Sequence, residues 1–267
     1  MKTGTLFSIG ILLLSLHAKA QNRQYAVPGN IESYIDRFEL RTSDMNGNGW
    51  AHYYIPRGMG DTLTVKMSCV YLGKQTHAPH VHHEDESFYV VRGPVNFHIN
   101  GEERIFNTGD FVYTPSGSSH NIQRVSEQDT IKYLVIKRET AGHVDKPHPV
   151  GKPDYTFDDC ITYPSKHTEW TGAGNDAQLV LLDRHFADGF HIVMTRVTDS
   201  DKVFPHADSR RPGQAALYIL SGRATVTLDG QSSSIGADNT FYCPKNATYS
   251  LTKAGTEPLV FLTVTTE

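Results

Sequence analysis

Short apolar runs rich in β-branched and aromatic residues recur along the chain, separated by polar positions and by Gly, Pro, Asn and Asp. Runs of this length and composition favour β-strands, and the residues between them favour turns. The clearest runs are Phe88–Val91, Val95–Ile99, Tyr133–Lys137, Ala224–Leu228 and Leu259–Val264. The pattern therefore predicts an all-β protein.

Two dipeptides, Asn100-Gly101 and Asp229-Gly230, are typical of two-residue β-hairpins. They lie 129 residues apart, and the same offset aligns Glu86–Gly93 with Ala215–Gly222. It also carries Tyr113, Pro115 and His120 onto Tyr242, Pro244 and Tyr249. An ungapped offset held over this distance indicates two copies of one fold.

The start of the chain reads as a secretory signal. Lys2 gives a positive start, Leu6–Leu16 is an apolar run, and Ala18-Lys-Ala20 supplies small residues for cleavage. We expect cleavage near Ala20 and an exported protein, periplasmic or extracellular. The remainder divides into a first unit at 21–142, a proline-containing connector at 143–157 and a second unit at 158–267.

Composition narrows the choice of partners. The 267 residues carry a formal net charge of −4 and no run of Lys or Arg, so nucleic acid is not an expected partner. No stretch beyond the leader is apolar enough to predict a membrane span. The three cysteines, Cys69, Cys160 and Cys243, allow one disulfide and leave at least one thiol unpaired, and their scatter argues against thiol catalysis.

Candidate chemistry concentrates in the first unit, at His80, His82, Glu86 and His120. Residues two apart on a strand face the same side, so His80, His82 and Glu86 can converge, and a Gly/Pro-bounded hairpin can return His120 beside them. Three imidazoles and a carboxylate suit one divalent metal ion, Fe, Mn, Ni, Co, Cu or Zn, and leave coordination positions open. We interpret His52 and His98 as ordinary structural histidines.

The spacing resembles the two motifs of the cupin family. Gly73, His80, His82, Glu86 and Gly93 fill the first motif, and Gly109, Pro115, Gly117 and His120 fill the second. Only the closing Asn of the second motif is missing, because Arg124 and Val125 stand near its place. The resemblance implies two tandem cupin (jelly-roll) β-barrels with the metal inside the first. It also implies that an N-terminal arm, within Tyr25–Gly60, pairs with the other barrel.

The second copy lacks this chemistry, since Ala215 and Tyr249 stand where Glu86 and His120 would be. His206 and Asp208 echo the His-x-His pair only after an insertion and would hold a metal poorly. We therefore predict one metal ion, in the N-terminal barrel, and a degenerate second barrel that acts as a structural partner.

The predicted site resembles those of quercetinase-type cupin dioxygenases, in which the ligand glutamate also serves as base. This implies an O2-dependent dioxygenase acting on a small oxygenated molecule, with Glu86 as the catalytic base and Tyr89 and Tyr113 as pocket residues.

The first alternative is a non-redox metal-dependent isomerase, lyase or hydrolase acting on a sugar acid or ureide. The second is a metal- or carbohydrate-binding module without turnover. The domain order also resembles ureidoglycine aminohydrolase, but that family holds its metal in the C-terminal barrel, so we rank this activity low. A homodimer remains open.

Overall fold

The computed structural model describes residues 27–60, 62–74, 76–81, 84–126, 130–138, 156–163, 166, 170–171, 176–183, 190–199, 203–204 and 213–266. The predicted leader, most of the predicted connector, and His82, His206 and Asp208 lie outside these residues. The predictions made for them therefore stay predictions.

Strands make up nearly all regular structure in the described part of the chain, which confirms the all-β prediction. The only helices described there are the short 3-10 turns Ile31–Tyr34 and Thr42–Asp44 and the four-residue α1, Phe157–Cys160. The strands of the first half are β1 Ile35–Asp36, β2 Gly49–Gly60, β3 Leu63–Val70, β4 Asp85–Arg92, β5 Val95–Ile99, β6 Glu102–Phe106, β7 Phe111–Thr114, β8 His120–Arg124 and β9 Ile131–Arg138. Those of the second half are β10 Ile161–Thr162, β11 Ala177–Leu182, β12 Phe190–Val197, β13 Val203–Phe204, β14 Gln214–Ser221, β15 Arg223–Leu228, β16 Gln231–Gly236, β17 Thr240–Cys243, β18 Tyr249–Ala254 and β19 Leu259–Thr266.

The strands form two barrels, each made of one six-stranded and one smaller antiparallel sheet. The first barrel has the orders β10-β7-β4-β9-β3-β2 and β6-β5-β8. The second has the orders β1-β17-β14-β19-β12-β11 and β13-β18-β15-β16. The predicted two-barrel architecture is thus confirmed.

The internal repeat reappears in the strand register. Glu86 pairs with Thr114 in the first barrel, and Ala215 pairs with Cys243 at the same place in the second. Both predicted hairpins are also present. Asn100 and Gly101 have φ of 49° and 89°, while Asp229 and Gly230 have 46° and 85°, as a type I′ turn requires.

The barrels exchange edge strands. β1, which precedes the first barrel, pairs with β17 of the second through Ile35 opposite Phe241. β10, which follows the first barrel, returns to pair with β7 through Ile161 opposite Val112. Each exchange covers a sheet edge whose unpaired backbone groups would otherwise be exposed. The expectation that the N-terminal arm pairs with the other barrel is confirmed.

Successive side chains on a strand point to opposite faces of the sheet, so the buried apolar residues form two separate clusters. Phe88 and Val90 face the interior of the first barrel, whereas Tyr89 belongs to a larger cluster that is continuous with the core of the second barrel. Leu217, Ile219 and Val226 are buried in that larger cluster, as the sequence predicts. Cys69, Cys160 and Cys243 are all buried, and none of them forms a disulfide with another. None of the described helices has the length and apolar character needed to cross a membrane.

Candidate metal centre

His80 and His120 are brought together by the backbone. The two residues form an isolated antiparallel bridge, in which the His80 N–H donates to the His120 carbonyl at 3.1 Å and the His120 N–H donates to the His80 carbonyl at 3.0 Å. Their ring centroids are 4.7 Å apart. Because His120 also begins β8, its position is tied to the sheet as well as to His80.

Glu86 completes a set of three potential ligands. Ligand atoms of His80, Glu86 and His120 all lie within 4.8 Å of one another, and Glu86 and His120 are buried. Within this set, His120 Nε2 lies 2.8 Å from Glu86 Oε2. Two imidazoles and a carboxylate that converge in this way fit a divalent transition metal ion. His82, the fourth predicted ligand, lies outside the described residues.

The orientation of the His120 ring is fixed by contacts on the side that faces away from the other ligands. Nδ1 lies 2.9 Å from the Ser118 carbonyl oxygen, which can only accept, so Nδ1 carries the proton and Nε2 faces the other ligands. The Phe97 ring is parallel to the imidazole with the two centroids 6.5 Å apart, and the Phe88 ring makes an edge-to-face contact with the centroids 5.8 Å apart. This is the arrangement by which proteins fix the tautomer of a metal-binding histidine.

Lys137 is a feature of the site that sequence reasoning missed. Its Nζ lies 3.2 Å from Glu86 Oε1, and the register places Lys137 directly opposite Glu86 on β9. One carboxylate oxygen therefore faces His120 while the other faces an ammonium group. The alternation Tyr133, Val135, Lys137 was visible in the sequence, but only the pairing of β9 with β4 shows which face it occupies.

His77 borders the centre without belonging to the three-ligand set. Its ring makes an edge-to-face contact with His80 at 4.4 Å, and its Nδ1 lies 3.1 Å from the Ala78 carbonyl oxygen. Partial desolvation of the ring by the surrounding protein lowers the pKa of His77. The ring supports His80 by packing.

The centre opens into a cavity of about 460 Å³ inside the first barrel. Aromatic walls are provided by Phe88 and Tyr133, and polar groups by Lys66 and Lys137. Burial raises the pKa of the Tyr133 hydroxyl, so this phenol stays protonated and able to donate a hydrogen bond. The cavity is large enough for a small molecule.

The structure does not bring Tyr89 and Tyr113 into this cavity, which corrects the expectation that they line it. Strand alternation directs Glu86 and Phe88 toward the cavity and Tyr89 toward the opposite face. Tyr113, opposite Ser87 on β7, lies on that same face. Both rings are buried in the cluster shared with the second barrel, and burial raises the pKa of Tyr89 to about 12.

The corresponding cavity of the second barrel, about 280 Å³, has a different lining. Tyr249 and Leu217 occupy the places of His120 and Phe88, and Ala215 replaces Glu86 in the register. Among the described residues of that barrel no three metal-ligating side chains converge. His206 and Asp208 lie outside the described residues, so the degenerate second copy stays a prediction.

Solved structures share the fold at low sequence identity. The oxalate decarboxylase of Lactobacillus farciminis, in a formate complex, matches with a TM-score of 0.67 and 15% identity over 92% of this chain and 88% of that one. The Bacillus subtilis oxalate decarboxylase, which contains Mn(II) centres, matches with a TM-score of 0.63 and 18% identity over 84% of this chain and 74% of that one. A putative glyoxylate-induced protein of Pseudomonas aeruginosa matches with a TM-score of 0.64 and 14% identity over 81% of this chain and 80% of that one. At this level of sequence identity, the similarity shows a shared fold and nothing more specific.

Comparison with curated proteins gives no match. The family model described as "Cupin domain" matches residues 67–137 and 203–265. These segments are the two copies of the repeat and together cover just over half of the 267 residues. The chain therefore belongs to the cupin domain family, with two cupin domains and a His/Glu/His cluster in the first.

Proposed function

We propose that the first barrel binds one divalent metal ion through His80, Glu86 and His120, with His82 as the fourth ligand, and uses it to transform a small oxygenated molecule. The observation that carries the proposal is the convergence of three buried or half-buried ligand atoms within 4.8 Å at the end of a cavity. The metal is one of Fe, Mn, Ni, Co, Cu or Zn, since mixed imidazole and carboxylate sites accept all of them.

When bound, the metal supplies Lewis-acid or redox chemistry and open coordination positions. The protein's own residues do the rest. Ser118 holds His120 in the tautomer that leaves Nε2 available, and Lys137 holds one oxygen of Glu86 while the other faces the ligand cluster. Phe88 excludes water from one side of the cavity.

The leading reaction is the O2-dependent oxygenation of a substrate of quercetinase type, with Glu86 as the base. Glu86 is the carboxylate that reaches both the ligand cluster and the cavity among the described residues, which places a proton acceptor beside any substrate bound there. The fold and the ligand chemistry support this reading without selecting a substrate.

A second candidate, non-redox isomerase or lyase chemistry on an acidic sugar or related molecule, is favoured by the contact between Lys137 and Glu86. An ammonium group and a carboxylate 3.2 Å apart can hold a proton between them and deliver it to a neighbouring carbon or oxygen.

One experiment distinguishes these candidates. The protein is purified anaerobically, its metals are quantified, and flavonols and uronic acids are screened for turnover with and without O2. Turnover that stops without O2 supports the dioxygenase, and equal turnover under strict anaerobiosis contradicts it in favour of the isomerase or lyase. A purified protein that holds no divalent metal and takes none up contradicts the proposed metal site itself.

A further inference from the structure

We propose that the cavity of the first barrel recognises a small molecule bearing a carboxylate, which Lys66 and Lys137 bind while the rest of the molecule approaches the metal ligands. The inference rests on the proposed metal site and adds the chemical class of the substrate: it favours an acid, as in the second candidate, over a flavonol, which carries no carboxylate. It is carried by the position of two lysines inside the barrel, by the charge balance of the cavity and by the second barrel as an internal comparison.

Lys66 and Lys137 are neighbours on adjacent strands. Lys66 lies opposite Val135, and Thr64 lies opposite Lys137, so the two lysines are diagonal partners across β3 and β9. Diagonal residues on one face of an antiparallel pair have Cα atoms about 7–8 Å apart, a separation that one carboxylate or two linked ones can span with long side chains. Both lysines line the cavity.

The described lining carries more positive than negative charge. Its charged side chains are Lys66, Lys137 and Glu86, and Glu86 already contacts Lys137. Within the described chain, Lys66 Nζ lies 5.8 Å from the centre of the Tyr53 ring, and no carboxylate is within ion-pair distance of it. A divalent metal ion would add further positive charge. Charges in a partly desolvated cavity are costly unless matched, so an anionic ligand is the favoured occupant.

The second barrel has the same fold with neither lysine, so the lysines occur together with the metal ligands and are not required by the fold. Thr265 lies opposite Ala215 there, as Lys137 lies opposite Glu86 in the first barrel. Val193 lies opposite Thr263, as Lys66 lies opposite Val135. The cavity of the second barrel thus has Thr265 and Val193 where the first has lysines, and its described lining contains no lysine. Neither lysine is needed to build the barrel.

The remaining walls limit the shape of the ligand. Phe88 and Tyr133 offer apolar and aromatic surface, while Asn46 and Asn48 add neutral polar groups. A carboxylate attached to a compact apolar or aromatic body satisfies both kinds of surface within about 460 Å³.

The test uses the full-length protein and pairs of probes that differ in charge but hardly in size. Malonate is compared with malonamide, and benzoate with benzamide, by isothermal titration into metal-loaded wild type, Lys66→Gln, Lys66→Arg and Lys74→Gln. Lys74 is an exposed lysine outside the cavity and controls for the loss of one positive charge. Metal content and melting temperature are measured for every variant.

We expect each carboxylate to bind wild type more tightly than its amide and Lys66→Gln to weaken carboxylate binding by about 10- to 100-fold, the range for a lost charge-assisted hydrogen bond. Lys66→Arg should retain most of the affinity, Lys74→Gln should match wild type, and metal content should not change. Equal binding of carboxylate and amide, equal binding by Lys66→Gln and wild type, or no carboxylate binding at all would overturn the proposal. A wild-type protein that holds no metal would instead refute the metal site. The same titrations on that protein would then test separately whether the lysines bind a carboxylate.

Discussion

His120 is the most tightly constrained residue of the metal centre. Its backbone bridges His80, its Nδ1 faces the Ser118 carbonyl, and its ring lies parallel to the Phe97 ring. Glu86 is fixed by opposite charge instead, through Lys137. The site therefore depends on two different kinds of restraint, and substitutions at His120 and Glu86 should have different effects.

Removing a histidine ligand should remove the metal. We expect His120→Ala and His82→Ala each to lose most bound metal, measured by elemental analysis after purification and dialysis. Wild type should also gain thermal stability when metal is added, because binding to the folded state alone stabilises it, whereas His120→Ala should gain much less.

Two histidines serve as controls for this experiment. His98 lies on neighbouring β5, where its ring contacts Glu103 rather than the metal ligands. His206 belongs to the second copy. His98→Ala and His206→Ala should keep the metal content of wild type, and a loss in His206→Ala equal to that in His82→Ala would contradict a single site in the first barrel.

Glu86→Gln should separate binding from turnover. Glutamine keeps the size and one oxygen donor, so a substantial share of the metal should remain, while loss of the base should reduce turnover by about two to four orders of magnitude. The measurement is kcat on the substrate that the screen identifies, expressed per bound metal ion. A variant that turns over as fast per metal ion as wild type would show that Glu86 is only a ligand.

At the scale of the elements, β2 and the N-terminal arm are joined by a buried histidine. His52 has no exposed surface, and its ring nitrogens lie 2.8 Å from Asp36 Oδ1 and 2.9 Å from Asp44 Oδ2. Asp36 belongs to β1, the strand that pairs with the second barrel. The imidazole therefore fastens the exchanged strand to the first barrel, which confirms the interpretation of His52 as a structural residue.

Substituting this histidine should loosen the arm. Because two largely buried carboxylates would lose their shared partner, we expect His52→Ala to lower the free energy of unfolding by about 3 kcal/mol. Urea denaturation followed by circular dichroism measures the effect. His98→Ala, on a strand that pairs only within the first barrel, should change stability by less than about 0.5–1 kcal/mol. Equal effects of the two substitutions would contradict the role assigned to His52.

At the scale of the whole molecule, the barrels share apolar surface. Tyr89, Tyr113 and Ile136 on the outer face of the first six-stranded sheet belong to the same cluster as Leu217 and Phe241 of the second barrel. Separating the barrels would expose this face to water, and an exposed apolar face of that kind promotes association.

A fragment limited to residues 21–146 should therefore aggregate or form oligomers, as size-exclusion chromatography with light scattering can measure. It also lacks β10, which covers the edge of β7 in the complete chain. The intact protein is the control. A stable, monomeric and fully active fragment would refute the structural role of the second barrel.

Much of this organisation could be predicted from the sequence because it follows from local rules. Asn100-Gly101 can only be read as a hairpin, and a fixed offset carries Glu86 onto Ala215 regardless of how the strands pair. Lys137 and Tyr89 show where such rules end. The face that each side chain occupies depends on the strand beside it, and Lys137 joins the site only because β9 lies next to β4.

The exchanged edge strands also govern the order in which the protein can fold during synthesis. The arm is made first, yet Ile31 and Phe38 bond to Gln231 and Asn239, which follow about 200 residues later. Contacts that span so much of the chain form slowly, because a long loop must close before they contribute. The N-terminal arm must therefore wait for its partner strand until almost the entire polypeptide has been made. A premature stop just before Thr240 would remove β17 and leave β1 without its partner strand, so a truncation near the C-terminus would destabilise the N-terminal arm.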